Sequence, residues 1–171
     1  MKIVNTMKTA DALAEIMKIF FLAKISEIKG EPADGSVRFK RALLGTLTEF
    51  VSDIGDYRVS TRRKEFSKGG DFTEMTEIYH KDLVVWWMSS GGCYPPELRS
   101  FVEAILLTTY AKGNFIGGRG PAGSDNRTLR YANFIGKRDF TDFSGQDCAS
   151  DGEAGTLVGS AEYFGRAIMR G

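Results

Sequence analysis

From residue 10 the chain distributes polar and apolar positions with the period of a helix. Asp11, Glu15 and Lys18 fall on one side, and Leu13, Ile16, Met17 and Phe20 on the other. This predicts an amphipathic helix over residues 10–28, with Thr9 placed to cap its N-terminus. The stretch from Gly30 to Gly35 contains Pro32 and ends it, because proline and glycine disfavour helix continuation and supply turns. Residues 36–44, with Val37, Phe39 and the run Ala42, Leu43, Leu44, satisfy neither the helical nor the strand period, and their type stays open.

Strict alternation follows. Leu47, Glu49 and Val51, then Gly55 and Asp56, then Tyr57, Val59 and Thr61 read as two strands joined at a turn. Residues 72–79 are β-prone, and past the polar turn His80, Lys81, Asp82 the run Leu83 to Met88 is short, branched and aromatic, which predicts a central strand. Pro95 and Pro96 open the next element where proline is tolerated. The apolar face Leu98, Phe101, Val102, Ile105, Leu106 makes it a helix over 96–112, ending at Gly113. A glycine-rich stretch, 113–123, leads to further β-prone pieces at 129–135, 143–148 and 156–164.

The order helix, strands, helix, strands predicts an α+β fold with a mostly antiparallel sheet rather than alternating βα units. Segments 57–92 and 131–165 echo each other, each with a turn-rich opening, a phenylalanine-led piece and a strand ending in glycine. The expected architecture is therefore two β-meanders around a central helix, preceded by the N-terminal amphipathic helix. At 171 residues the chain is expected to be one domain, with 1–35 a helical segment and loop and 46–169 the α+β core.

Charge and cysteine content narrow the classes. Lysine and arginine number 23 against 22 acidic residues, too even for a cationic nucleic-acid coat or an acidic mimic. Cys93 and Cys148 belong to no CxxC pair, so no disulfide framework or zinc knuckle is expected. The opening residues lack a secretory core, and the aliphatic run Ile19 to Ala23 is flanked by Lys18 and Lys24. A cytoplasmic protein with no membrane span is the expectation.

Phe72 to Ile78, Val85 to Gly91, Arg119-Gly120-Pro121, Tyr131 to Asn133, Phe143 to Asp147 and Tyr163 to Gly165 together resemble a family of short bacterial proteins grouped as a domain of unknown function. Some of its members carry a helix-turn-helix fusion. The order and spacing of the pieces carry the likeness, over roughly residues 57–168. The chain departs from the family at Ser89-Ser90, where asparagine-tyrosine is usual, and at Asp147, where glutamate is usual. The resemblance implies an architecture and a bacterial or phage origin, and no mechanism.

Several constellations compete for function. Residues 118–123 spell GxGxxG, but a helix precedes them, a strand-like piece follows and Pro121 lacks an amide donor, so a crossover loop is the better reading. The functional alternative is an anion loop, with Arg119 offering its planar five-donor fork. His80 reads as a turn residue and Cys93 as a small core or loop residue rather than a nucleophile. Glu74 and Thr76 share one strand face with Glu77 on the other, and Asp139, Asp142, Asp147, Asp151 and Glu153 crowd the C-terminal third. Solvated charges are the plainer reading of all these carboxylates. Arg58, Arg62, Arg63, Lys64 and Lys68, with Tyr57 and Phe66 interleaved, are a candidate nucleic-acid run diluted by neighbouring carboxylates. Trp86 and Trp87 must point to opposite faces of a strand, so one needs cover from outside the core.

The preferred expectation is a non-catalytic binding module, possessing no metal or cofactor, with a pocket of Trp87, Tyr79, Arg119 and Tyr131 for a small anionic or aromatic molecule or a partner protein. A sequestering or inhibitory role and a homo-oligomer are compatible with it, and a nucleic-acid partner is disfavoured. The alternative is a hydrolase or transferase using Glu77 or Asp147, with Arg119 as anion stabiliser.

Overall fold

The computed structural model describes residues 9–117 and 119–168. Helix α1 (Thr9–Lys29) exceeds the expected range by one residue at each end. The side chain of Thr9, the expected cap, lies outside the described residues. The apolar stripe of α1 buries Ile16, Ile19, Phe20 and Phe21, each worth about 1.5–3 kcal/mol relative to exposure. The undecided segment is strand β1 (Val37–Leu44), whose only buried residue is Val37. An edge strand packed at one end has no reason to alternate, which is why neither period appeared.

Strands β2 (Leu47–Ile54) and β3 (Tyr57–Glu65) form the expected hairpin, turning at Gly55, which has a φ of +58°. Strands β4 (Asp71–His80) and β5 (Leu83–Cys93) follow. Their two-residue turn places Lys81 and Asp82 at φ of +49° and +64°, the left-handed conformation that matches the twist of a hairpin. His80 therefore ends a strand rather than sitting in the turn, with its ring 4.8 Å from that of Tyr57. Helix α2 (Pro96–Ala111) begins with its proline in the first turn. Then come β6 (Gly123–Asp125), β7 (Leu129–Asp139), β8 (Asp142–Asp151) and β9 (Leu157–Ala167).

The expected pair of meanders around a central helix is corrected. All nine strands among the described residues form one antiparallel sheet, in the order β1-β2-β3-β4-β5-β9-β8-β7-β6. The two strand groups exist, but their open edges pair with each other: β5 joins β9 over eight residues, from Trp86 opposite Ala167 to Cys93 opposite Ser160. An unpaired edge leaves a row of amides and carbonyls unsatisfied, and pairing the two groups removes both edges. Glycines make the seam tight. A Cβ on Gly92 would stand 2.1 Å from the Ser160 carbonyl oxygen, and one on Gly165 2.3 Å from that of Trp87.

Both helices lie on one face of this sheet. That inner face carries Val59, Ile78, Trp86, Met88, Phe143 and Tyr163, which share one core with Phe20 of α1 and Val102 and Tyr110 of α2. Trp86 is the covered tryptophan: its ring packs 4.9 Å from Phe20 and its indole N–H donates to the Phe140 carbonyl at 3.1 Å. Trp87 faces outward and packs edge-on against Phe164 at 5.5 Å. No helix among the described residues is long and apolar enough to cross a membrane.

Candidate functional site

The pleat divides the expected site residues between the two faces. Tyr79, Glu77 and Trp87 are on the outer face, where the Tyr79 hydroxyl donates to Glu77 at 2.8 Å and Glu77 also pairs with Arg62. Arg119, Tyr131 and Asp147 are buried on the inner side. The sheet separates the two groups, so Trp87 and Tyr79 do not line one pocket with Arg119 and Tyr131, and Glu77 does not share a cleft with Asp147. The basic run is divided in the same way. Arg58, Arg62 and Lys64 are exposed on the outer side of β3, with Arg58 3.0 Å from Asp53, while Arg63 turns inward to ion-pair with Glu74. A continuous phosphate-tracking surface is not formed by these four.

Inside, Asp147 is the centre of a buried cluster and no solvated charge. Its Oδ1 accepts from the Tyr94 hydroxyl at 2.8 Å, and its Oδ2 accepts from Arg119 Nε at 2.6 Å and the Tyr131 hydroxyl at 2.8 Å. Burial and then the Asp147 carboxylate push both tyrosines well above their ordinary range, so both remain donors. The loop that delivers Arg119 is clamped beside it. Asn133 Nδ2 donates to the Gly120 carbonyl at 2.9 Å, and the Tyr163 hydroxyl fixes the Asn133 oxygen at 2.5 Å. Gly120 is required here, since a Cβ would stand 2.3 Å from the Tyr131 hydroxyl. Gly118, the first glycine of the GxGxxG match, lies outside the described residues; the rest of the loop leads to β6 and opens no helix.

Arg119 also forms part of the wall of a partly open cavity of about 290 Å³, lined by the C-terminal half of α1, by α2 and by residues of β1 to β4. On α2, Arg99, Glu103, Leu106 and Tyr110 recur at helical spacing and all reach the cavity. On α1, Lys24 and Glu27 do the same, one and two turns beyond Phe20. Lys24 Nζ lies 2.9 Å from Glu27, 2.8 Å from Glu74 and 3.4 Å from the Thr76 hydroxyl. Burial alone would lower the lysine and raise the acids. The carboxylates outweigh it and hold Lys24 above its usual value, and Lys24, Arg63 and Arg119 hold Glu74 down to about 2. Glu27 moves up, because burial and the Glu74 charge exceed what Lys24 returns.

The cavity wall is not internally satisfied. Arg99 Nε and the Tyr110 hydroxyl are buried without a partner among the described residues, Arg63 Nε makes no hydrogen bond but stands 3.4 Å from a Glu65 oxygen, and all three residues line the cavity. Leaving such a group unpaired costs about 1–3 kcal/mol. Elsewhere, Cys93 is no activated thiol: loss of solvent and the nearby Asp71 raise its pKa. No cluster of three metal-ligating side chains occurs among the described residues.

Sequence reasoning found Arg119, Tyr131 and Asp147 but passed over Lys24, Glu27, Arg99, Glu103 and Tyr110, and read Glu74 as solvated. The available signal was polar residues on a helix's apolar face: Lys24 follows Phe20 by one turn, and Arg99, Glu103 and Tyr110 fall on the stripe of Leu106. No protein-family model, curated protein or solved structure matches the chain.

Proposed function

We propose that this protein binds a small polar molecule in the cavity between α1, α2 and the inner sheet face, and that it acts as a binding module rather than an enzyme. The observation that carries this reading is one partly open space lined by Arg63, Arg99, Arg119 and Tyr110, with Arg99 Nε and the Tyr110 hydroxyl left without a partner among the described residues. At about 290 Å³ the space is at the small end of ligand pockets, which run from about 300 Å³ upward. The family resemblance supplies no mechanism, so the reading rests on the cavity. Against a reaction at Asp147 stands its full burial and the engagement of its two oxygens by three hydrogen bonds from Tyr94, Arg119 and Tyr131.

Native mass spectrometry of the purified protein, followed by denaturation and analysis of the released fraction, tests the reading. The expected result is a small molecule of defined mass in wild type that is lost in Leu106→Trp, where the larger side chain fills the cavity from α2. A ligand retained in full by folded Leu106→Trp places the binding elsewhere and overturns the reading.

A further inference from the structure

The two groups on the cavity-lining residues that are left without any partner among the described residues, Arg99 Nε and the Tyr110 hydroxyl, have one polarity. Arginine nitrogens only donate, and a tyrosine hydroxyl donates while it keeps its proton. Tyr110 does keep it, since burial pushes its pKa up to about 12. The arginines are held together: Arg63 Nε and Arg99 Nη2 lie 3.4 Å and 3.0 Å from the same Glu65 oxygen. Arg63 is also fixed in plane by the Phe72 ring, 4.2 Å beneath it. Arg119 approaches from the sheet side, oriented by Asp147 through Nε. The wall holds six basic side chains against four acidic ones. Of the acids, Glu27 and Glu74 are engaged by Lys24 and Glu65 by the two arginines, which leaves Glu103 as the one carboxylate without an ion pair among the described residues. Basic side chains remain in excess even after Asp147 pairs with Arg119 from behind the wall, and Glu103 is the one acidic acceptor there that no ion pair engages among the described residues.

We propose, building on the cavity reading above, that the ligand is a small organic acid whose carboxylate or phosphate oxygens accept from Arg63, Arg99 and Tyr110, with an apolar body against Phe50, Phe72 and Leu106. Charge-assisted hydrogen bonds of this kind are about twice as strong as neutral ones, so the site discriminates against an uncharged analogue of the same shape.

Isothermal titration calorimetry with benzoate, phenyl phosphate and the uncharged benzyl alcohol tests the assignment in wild type, Tyr110→Phe and Leu106→Trp. At least one acid is expected to bind ten times or more tighter than benzyl alcohol, and the tighter of the two identifies carboxylate or phosphate as the preferred head. Tyr110→Phe is expected to weaken that acid about five- to tenfold without lowering the melting temperature of the free protein, because the hydroxyl it deletes has no partner to lose. A tyrosine with only a structural role would show the reverse. Equal affinity for benzyl alcohol, or unchanged acid affinity in Tyr110→Phe, overturns the oxyanion assignment and leaves the cavity reading intact. Unchanged acid affinity in Leu106→Trp overturns both. If neither acid binds, the assignment falls, and the cavity reading is decided separately by the released-ligand measurement.

Discussion

Replacing Lys24 by methionine removes the one ammonium that holds two buried carboxylates together while keeping a side chain of similar length. In the intact protein Lys24 Nζ is 2.9 Å from Glu27 and 2.8 Å from Glu74, and the lysine and Glu74 side chains are 5% and 4% exposed. Removing one partner of such a group costs about 3–5 kcal/mol, most of it the penalty of leaving charge buried and uncompensated. Arg63, 3.6 Å from Glu74, cushions one of the two acids, so the lower end, about 3 kcal/mol, is expected. In a chain of this size that lowers the melting temperature by about 10 °C. The pH dependence gives the sharper check. In wild type Glu74 is held down to about 2 from an ordinary 4.5; a depressed acid contributes stability fully above its unfolded pKa and loses it as pH falls toward the folded one. In Lys24→Met the two carboxyls are buried without their cation, so Glu74 rises instead and the already raised Glu27 rises further, and the penalty is full at high pH and fades as they protonate. Urea denaturation at pH 8 and pH 5 should therefore show a deficit against wild type that shrinks at the lower pH. The double variant Lys24→Met, Glu74→Gln should recover part of it. A loss below about 1 kcal/mol, equal at both pH values, would refute the reasoning that these three charges form one coupled buried unit.

Two other perturbations probe the elements that position the cavity. Asp147→Asn should destabilise by about 3–5 kcal/mol in urea denaturation, because the buried Arg119 loses its counter-charge; a negligible loss would show that the cluster does not depend on its carboxylate. Gly92→Ala should lower the melting temperature by several degrees or prevent folding, since its methyl would stand 2.1 Å from a backbone oxygen of β9. Gly155→Ala, in open space at a φ of +66°, should cost only the backbone strain of about 1 kcal/mol, and equal losses at the two sites would contradict the tight seam.

Most of the elements were legible in the pattern because their cause is local. The stripe of α1 is a spacing of Leu13, Ile16, Met17 and Phe20, and the β2–β3 hairpin is an alternation broken at Gly55. The opposed faces of Trp86 and Trp87 follow from the pleat alone, and so does the shared face of Glu74 and Thr76, both of which are buried. What the pattern did not carry was the pairing of β5 with β9. That pairing joins residues between 67 and 81 positions apart in the sequence through backbone hydrogen bonds, and backbone groups are the same in every residue. The site was hidden for a related reason. Lys24, Arg63, Glu74, Arg99 and Tyr110 come from four separate elements, and each reads alone as an ordinary solvated or core residue. Their meaning is set by burial and by which charge stands within about 3 Å, quantities that exist only once the helices are laid on one face of the sheet. The same placement put Arg119 and Asp147 in contact and kept Trp87 and Tyr79 away from them. Local periodicity decided the elements; non-local pairing decided which side chains meet.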